Sequence, residues 1–134
     1  MERCSPMIST LQSSEDDLQK DVVAFLEYAL PPGCVFHHSP NEGKRHVSYI
    51  NRLKKMGTKY GWPDLELFCP GNCTSSGHNE AIFIELKGPK GRMNENQRRM
   101  RDQIMEAGFA WAMCKSIEDV YLFLKPKLKL QVIM

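Results

Sequence analysis

Two short apolar runs, LELF at residues 65–68 and AIFIEL at residues 81–86, flank the polar stretch PGNCTSSGHN. Runs of this length, bounded by a loop of turn-forming residues, predict an antiparallel β-hairpin. The hairpin has a problem of charge. Pro63-Asp64 opens the first strand and Glu85-Leu86-Lys87 closes the second. Strand side chains alternate, so Glu85 and Lys87 project to one face about 7 Å apart while Leu86 points into a core. Proline is tolerated as the first residue of a strand, where it need not donate to the ladder. If the strands pair, Asp64 and Glu85 converge at one end of the hairpin.

Two carboxylates held together in a partly buried place repel each other, and one prefers to be protonated. A divalent cation removes that conflict. Hard oxygen ligands with open positions suit Mg²⁺, with Mn²⁺ as a substitute. Such an ion polarises a phosphodiester and lowers the pKa of an attacking water. Lys87 is placed to orient that water or to stabilise charge on the pentavalent phosphate. The plain alternative for so short a pattern is a cross-strand salt bridge between Lys87 and an acid.

The rest of the chain supplies elements around the hairpin. Ser13 or Ser14 caps a helix, with Asp16 or Asp17 three residues later, and Leu18, Val22, Phe25, Leu26 and Ala29 form its buried stripe. Pro31-Pro32-Gly33 stops it, and residues 34–38 read as a strand. Residues 43–56 read as a basic helix with Val47, Ile50, Leu53 and Met56 at helical spacing. After the hairpin, a helix runs from Asn94 to Gly108, residues 109–113 form a strand, and Ser116 caps a helix from 117 to about 124. The order α-β-α-β-β-α-β-α predicts an α/β domain with a small mixed sheet flanked by helices. The predicted layout is a weakly ordered stretch at 1–12, one domain at 13–125, and a tail at 126–134. That tail, KPKLKLQVIM from Lys125 onward, either adds a strand or frays.

Helical spacing singles out two further polar groups. The series 15, 18, 22, 25/26, 29 puts Glu15 on the buried stripe and turns Asp16 and Asp17 away; the competing role for Glu15 is to complement the helix dipole. The series 97, 100, 104, 107 aims Gln97 at the sheet, although Asn94-x-x-Gln97 is also a capping box.

Charge and composition narrow the function class. The chain of 134 residues suits one domain, and its 42% hydrophobic content is enough for an ordinary core. No run approaches the roughly 18 apolar residues of a membrane span, and no apolar h-region follows the N-terminus, so a soluble cytoplasmic protein is expected. Five scattered cysteines (Cys4, Cys34, Cys69, Cys73, Cys114) imply reduced thiols. Cys69-x3-Cys73-x4-His78 is the alternative zinc site, but structural zinc usually needs two close-spaced ligand pairs and only one is present. The net charge of +2 hides two basic blocks. Lys44, Arg45, Arg52, Lys54, Lys55 and Lys59 stand against Glu42 alone; Lys87, Lys90, Arg92, Arg98, Arg99 and Arg101 stand against Glu95 alone. Two such blocks in a small domain imply a polyanionic partner, with solvated helix faces as the plain alternative.

Taken in order, Glu15-x-x-Leu18-Gln19, Gly61-x-Pro63-Asp64, Glu85-x-Lys87 and Gln97 resemble the VRR-NUC branch of the PD-(D/E)XK nuclease superfamily. The stretches HHSPNEGKR, KKMGTKYGWPDLELF and FIELKGPKGRMNENQ are similar to its compact stand-alone phage and bacterial members. The resemblance covers residues 15–124 and implies a restriction-endonuclease-like core. It implies that Asp64, Glu85 and the backbone carbonyl of Leu86 ligate the metal, that Glu15 completes the site directly or through water, and that Lys87 is catalytic with Gln97 in support. Asp16 is close enough to Glu15 to compete for that role. The resemblance further implies a metal-dependent endonuclease acting on DNA, selective for branched duplexes such as Holliday junctions and working as a homodimer. A restriction-like enzyme, a flap or single-strand nuclease, and a non-catalytic nucleic-acid-binding module are the alternatives. With no base-reading motif in the chain, Asn41, Lys44, Arg45, Lys54, Lys55, Lys59, Arg92 and Arg98 are the candidate backbone contacts.

Overall fold

The computed structural model describes residues 14–40 and 47–134. Ser14 caps the first helix among the described residues, α1 (Glu15–Ala29), by accepting from the Asp17 amide at 3.0 Å. Strand β1 (Val35–His38) follows the Pro31-Pro32-Gly33 stop, and α2 (Val47–Lys55) carries the basic run. Strands β2 (Leu65–Cys69) and β3 (Glu80–Leu86) are joined by a loop with a 3₁₀ turn over Gly71–Cys73. Helix α3 (Glu95–Glu106), strand β4 (Ala110–Cys114) and helix α4 (Ile117–Leu124) complete the order. The expected α/β architecture and element order are the ones observed.

The sheet has the order β1-β2-β3-β4. The pairs β1/β2 and β2/β3 are antiparallel, and β3/β4 is parallel with α3 as the crossover. Alternation along β2 and β3 sends Leu65, Leu67, Ile82, Ile84 and Leu86 to one face, where they are buried with Leu18, Val22 and Leu26 of α1 and Val120 and Leu124 of α4. The opposite face carries Phe83, packed with Met100 and Ile104 of α3 and flanked by Trp62 and Trp111. Glu85 lies on that second face, at the end of the strand. One face is therefore a dry core, and the other leads from an aromatic cluster to charge.

Two elements depart from their sequence patterns. The apolar spacing of α2 is not matched by burial: none of its residues is buried, and Val47 and Met56 are 67% and 70% exposed. Its docking is polar instead, with Tyr60 Oη donating to the Ile50 carbonyl at 3.3 Å. The C-terminal stretch forms a single antiparallel bridge between Thr74 and Leu128. Backbone bonds from Ser75 to Lys127 (2.8 Å), Lys129 to Cys73 (2.9 Å) and Gln131 to Ala29 (2.8 Å) hold it down. The apolar Leu128, 3% exposed, supplies the burial that favours docking over fraying. Residues 1–12, expected to be weakly ordered, lie outside the described residues, as does the start of the basic helix.

Deleting a side chain from the dry face leaves a cavity, so Leu67→Ala is expected to cost about 2–5 kcal/mol in urea denaturation. Leu122→Ala, at a position 56% exposed, is expected to stay within about 0.5 kcal/mol.

Candidate active site

The β2/β3 register sets Leu65 opposite Ile84, and one step further out Asp64 faces Glu85. Asp64 is fixed from three directions. Its carbonyl accepts from the Ser39 amide at 3.0 Å and lies 2.9 Å from His38 Nδ1. Its carboxylate Oδ2 accepts from the Leu86 amide at 2.7 Å. Pro63 before it is fully buried and brings no amide to be satisfied.

Glu85 is only 2% exposed. Gln97 Nε2 donates to its Oε2 at 2.8 Å, and Lys87 Nζ lies 3.9 Å from the same oxygen. The Lys87 amide donates to the Cys114 carbonyl at 3.0 Å. That bond carries the β3/β4 ladder one residue past the strand and keeps Lys87 on the Glu85 face. Gln97 fulfils both of its sequence readings. Its Oε1 accepts from the Asn94 amide at 2.9 Å while Asn94 Oδ1 accepts from the Gln97 amide at 2.8 Å, closing a capping box. The other end of the same amide holds Glu85.

Glu15 departs from the buried stripe. It is exposed in the first turn of α1, because that turn precedes Leu18, the first residue of the stripe to reach the core. Its charge still acts on the site: it is among the causes that raise Glu85. Burial is the largest of them, followed by the Asp64 charge, and together they push the Glu85 carboxyl up to about 8 against the pull of Lys87. Burial also raises Asp64, opposed first by the Leu86 amide and then by His38. Both carboxyls are therefore harder to ionise here than in water. Glu85 is buried and Asp64 half-buried; this pair of carboxylates, both raised chiefly by burial, forms a donor set that fits a hard divalent cation, since such an ion lets both ionise.

Several neighbours lacked a sequence signal of their own. Glu66 lies two residues beyond Asp64 on the same face; it accepts from Trp62 Nε1 and sits 3.4 Å from His37 Nδ1. Strand alternation points to Glu66, but nothing local announces its partners. Gly61 has φ +82°, and a Cβ there would lie 2.3 Å from the Asn96 carbonyl carbon and oxygen. The backbone before Asp64 therefore rests directly on the start of α3. Cys34, Cys69 and Cys73 gather at the far end of β1 and β2, where burial, followed by hydrogen bonding to the other two thiols, pushes the Cys34 thiol up. Among the described residues no group of three or more His, Cys, Asp or Glu is arranged to hold a metal ion; neither Cys69, Cys73 and His78 nor Glu15 with Asp64 and Glu85 makes such a cluster.

The basic residues divide. Lys54 and Lys59 face a cleft together with Arg99. Lys55 and Arg92 are exposed, and Arg98 turns back to the Met93 carbonyl at 2.6 Å. Asn41, Lys44 and Arg45 lie outside the described residues.

The mixed sheet ends in paired carboxylates, a lysine and a supporting amide. The VRR-NUC domain model matches residues 13–118, and the chain belongs to that family, within the PD-(D/E)XK superfamily. A nuclease-type function and a nucleic-acid substrate come with that membership. The fold is similar to that of a "VRR_NUC domain protein" at TM-score 0.65 and 22% identity, over 86% of this chain and 88% of that one. A second structure, "VRR_NUC domain", is similar at TM-score 0.54 and 16% identity, over 84% and 97%. Among curated proteins none matches significantly. No helix among the described residues is long and apolar enough to cross a membrane.

Two outcomes test this geometry. Gly61→Ala combines a left-handed φ with a backbone clash and is expected to lower the melting temperature by clearly more than Gly57→Ala, where φ is +102° but nothing lies within 4 Å of the added Cβ. For pH, the folded state retains a proton on Glu85 that the unfolded chain releases near the ordinary 4.5. Stability in EDTA is therefore expected to fall as pH rises from about 4.5 and to level off above about 8. Glu85→Gln should flatten that slope in urea titrations.

Proposed function

We propose that this protein is a metal-dependent endonuclease that hydrolyses DNA phosphodiester bonds, with Asp64 and Glu85 at its centre. The observation that carries the reading is the facing of these two carboxylates across the hairpin, one accepting from the Leu86 amide and the other from Gln97. Asp64, Glu85 and the Leu86 carbonyl would hold Mg²⁺ or Mn²⁺, with Glu15 or water completing the set. When bound, the ion supplies Lewis-acid polarisation of the phosphate and a more acidic water.

The chain's own groups do the rest. Lys87 lies 3.9 Å from Glu85; its ammonium orients the attacking water and offsets charge on the phosphate oxygens. Gln97 fixes the Glu85 carboxylate so that it does not turn away when the pair ionises. Lys54, Lys55, Lys59, Arg92 and Arg98, with Asn41, Lys44 and Arg45, contact the strand through phosphates rather than base edges. Selectivity for branched duplexes and a homodimer with two sites complete the proposal by family resemblance, with a cytoplasmic setting suited to the free thiols.

The test is incubation with labelled four-way junction, flap, single-stranded and linear duplex DNA in Mg²⁺, Mn²⁺ or EDTA. Cleavage is expected with either metal and not in EDTA, fastest on the junction. Asp64→Ala and Lys87→Ala are each expected to lower kcat by about 10²–10³-fold or more, and cleavage that survives either change overturns the assignment. Binding of every substrate without cleavage identifies a non-catalytic module instead. Sedimentation distinguishes a dimer suited to paired nicks from a monomer suited to flap or single-strand processing.

A further inference from the structure

Beside the carboxylates, on the other side of Gln97, the loop leading out of α2 and the exposed side of α3 enclose a cleft of about 390 Å³. Its wall and the candidate active site share consecutive residues. Asn96 lines the cleft, and Gln97, the next residue, holds Glu85 at 2.8 Å. Gly61, packed on the Asn96 backbone, fixes the opposite wall three residues before Asp64. Whatever occupies this cleft is held in register with the carboxylates.

The lining has two characters. Lys54, Lys59 and Arg99 bring three cations and no acid faces in, although Arg99 also pairs with Glu95 alongside at 3.2 Å. Lys54 is drawn over the Tyr60 ring, 5.1 Å from its centroid, and Tyr60 is tied to α2 through the Ile50 carbonyl. The remaining lining is not what a phosphate needs. Asn96, Met100 and Gln103 fall at i, i+4 and i+7, on one side of α3. Met100 belongs to the Phe83 cluster and gives an apolar floor, and the two amides flank it, each carrying donors and acceptors. Lys54 and Lys59 on the α2 side, facing a thioether floor between two amides on α3, where Arg99 donates to Asn96 Oδ1 at 3.1 Å, are complementary to a nucleotide, phosphate and base together. The volume is also in the range of small-ligand sites, roughly 300–1,000 Å³.

We propose that this cleft takes one unstacked nucleotide of the bound strand, its phosphate against Lys54 and Lys59 and its base over Met100 between Asn96 and Gln103. The inference rests on the nucleic-acid reading of the neighbouring site but not on its catalysis. A base buried in stacked duplex cannot reach such a pocket, so the cleft favours strands that are already unpaired or distorted, where unstacking costs least. It gives the domain a physical means of preferring forks and junctions without reading sequence.

The test is binding in EDTA, so that it does not depend on cleavage. A fluorescent forked DNA is titrated with the full chain by polarisation, with a single abasic nucleotide moved along each strand near the fork. In the unsubstituted protein, one abasic position is expected to weaken Kd about tenfold, the scale of losing one base contact, while its neighbours have little effect. Asn96→Ala/Gln103→Ala is expected to lose about tenfold on the intact fork and nothing more at that abasic position. Lys59→Ala should weaken all forks equally and lower the salt dependence. Circular dichroism melts confirm that the variants fold. Equal affinity across the abasic series, a double variant that binds the intact fork normally, or no binding of the fork overturns the proposal. Because cleavage is not read, a chain that binds in this pattern yet cuts nothing upholds the cleft and removes only the catalytic assignment.

Discussion

The β2/β3 register is the constraint on which the site depends. Asp64 and Glu85 come from segments separated by 21 positions, and only the pairing of Leu65 with Ile84 makes them face each other. A slip of one residue would send every side chain of one strand to the opposite face, moving Glu85 into the apolar core and Leu86 out of it. The dry packing of Leu65, Leu67, Ile82 and Ile84 against α1 and α4 makes such a slip prohibitive. The core residues thus hold the two acids at one end of the hairpin despite their repulsion, and burial, followed by the Asp64 charge, raises the Glu85 carboxyl there.

Much of this was legible because it is periodic. Period two along LELF and AIFIEL placed the hairpin and the facing acids; period 3.6 aimed Gln97 at the sheet and laid out the stripe of α1. Capping chemistry located Asn94 and Ser116 at the helix starts where they are found and left Ser13 and Ser14 as the choice for the first, which Ser14 fills. Periodicity also misled. Val47, Ile50, Leu53 and Met56 have helical spacing, yet α2 buries none of its residues, because spacing reports a face and not what lies opposite it. Glu15 is likewise exposed rather than on the buried stripe, because the first turn of α1 lies before Leu18, where that stripe reaches the core.

Other features had no local signal. Thr74 sits in a loop that reads as polar and surface-exposed, yet it is 1% exposed. Its hydroxyl donates to the His78 carbonyl at 2.8 Å and accepts from the Gly77 amide at 3.1 Å, and the Thr74 backbone meets Leu128. A buried threonine and a docked tail are legible only once the two are brought together. The same holds for Gly61, whose need for no side chain comes from the start of α3, 35 positions away. Long-range contacts of this kind decide how a loop is held, and composition is silent about them.

Gln97 has a consequence of its own. A glutamine amide can be turned end for end with little change in shape, but here the two ends are not equivalent. The oxygen must face the Asn94 amide and the nitrogen must face Glu85; a half-turn would set oxygen against carboxylate and nitrogen against N–H. The helix cap therefore imposes a direction on the amide, and the amide presents a donor to Glu85 in either protonation state. A glutamate in its place would keep the cap and add a third negative charge to the pair. The choice of an uncharged, two-ended side chain thus lets one residue begin a helix and hold an acid without entering its proton balance.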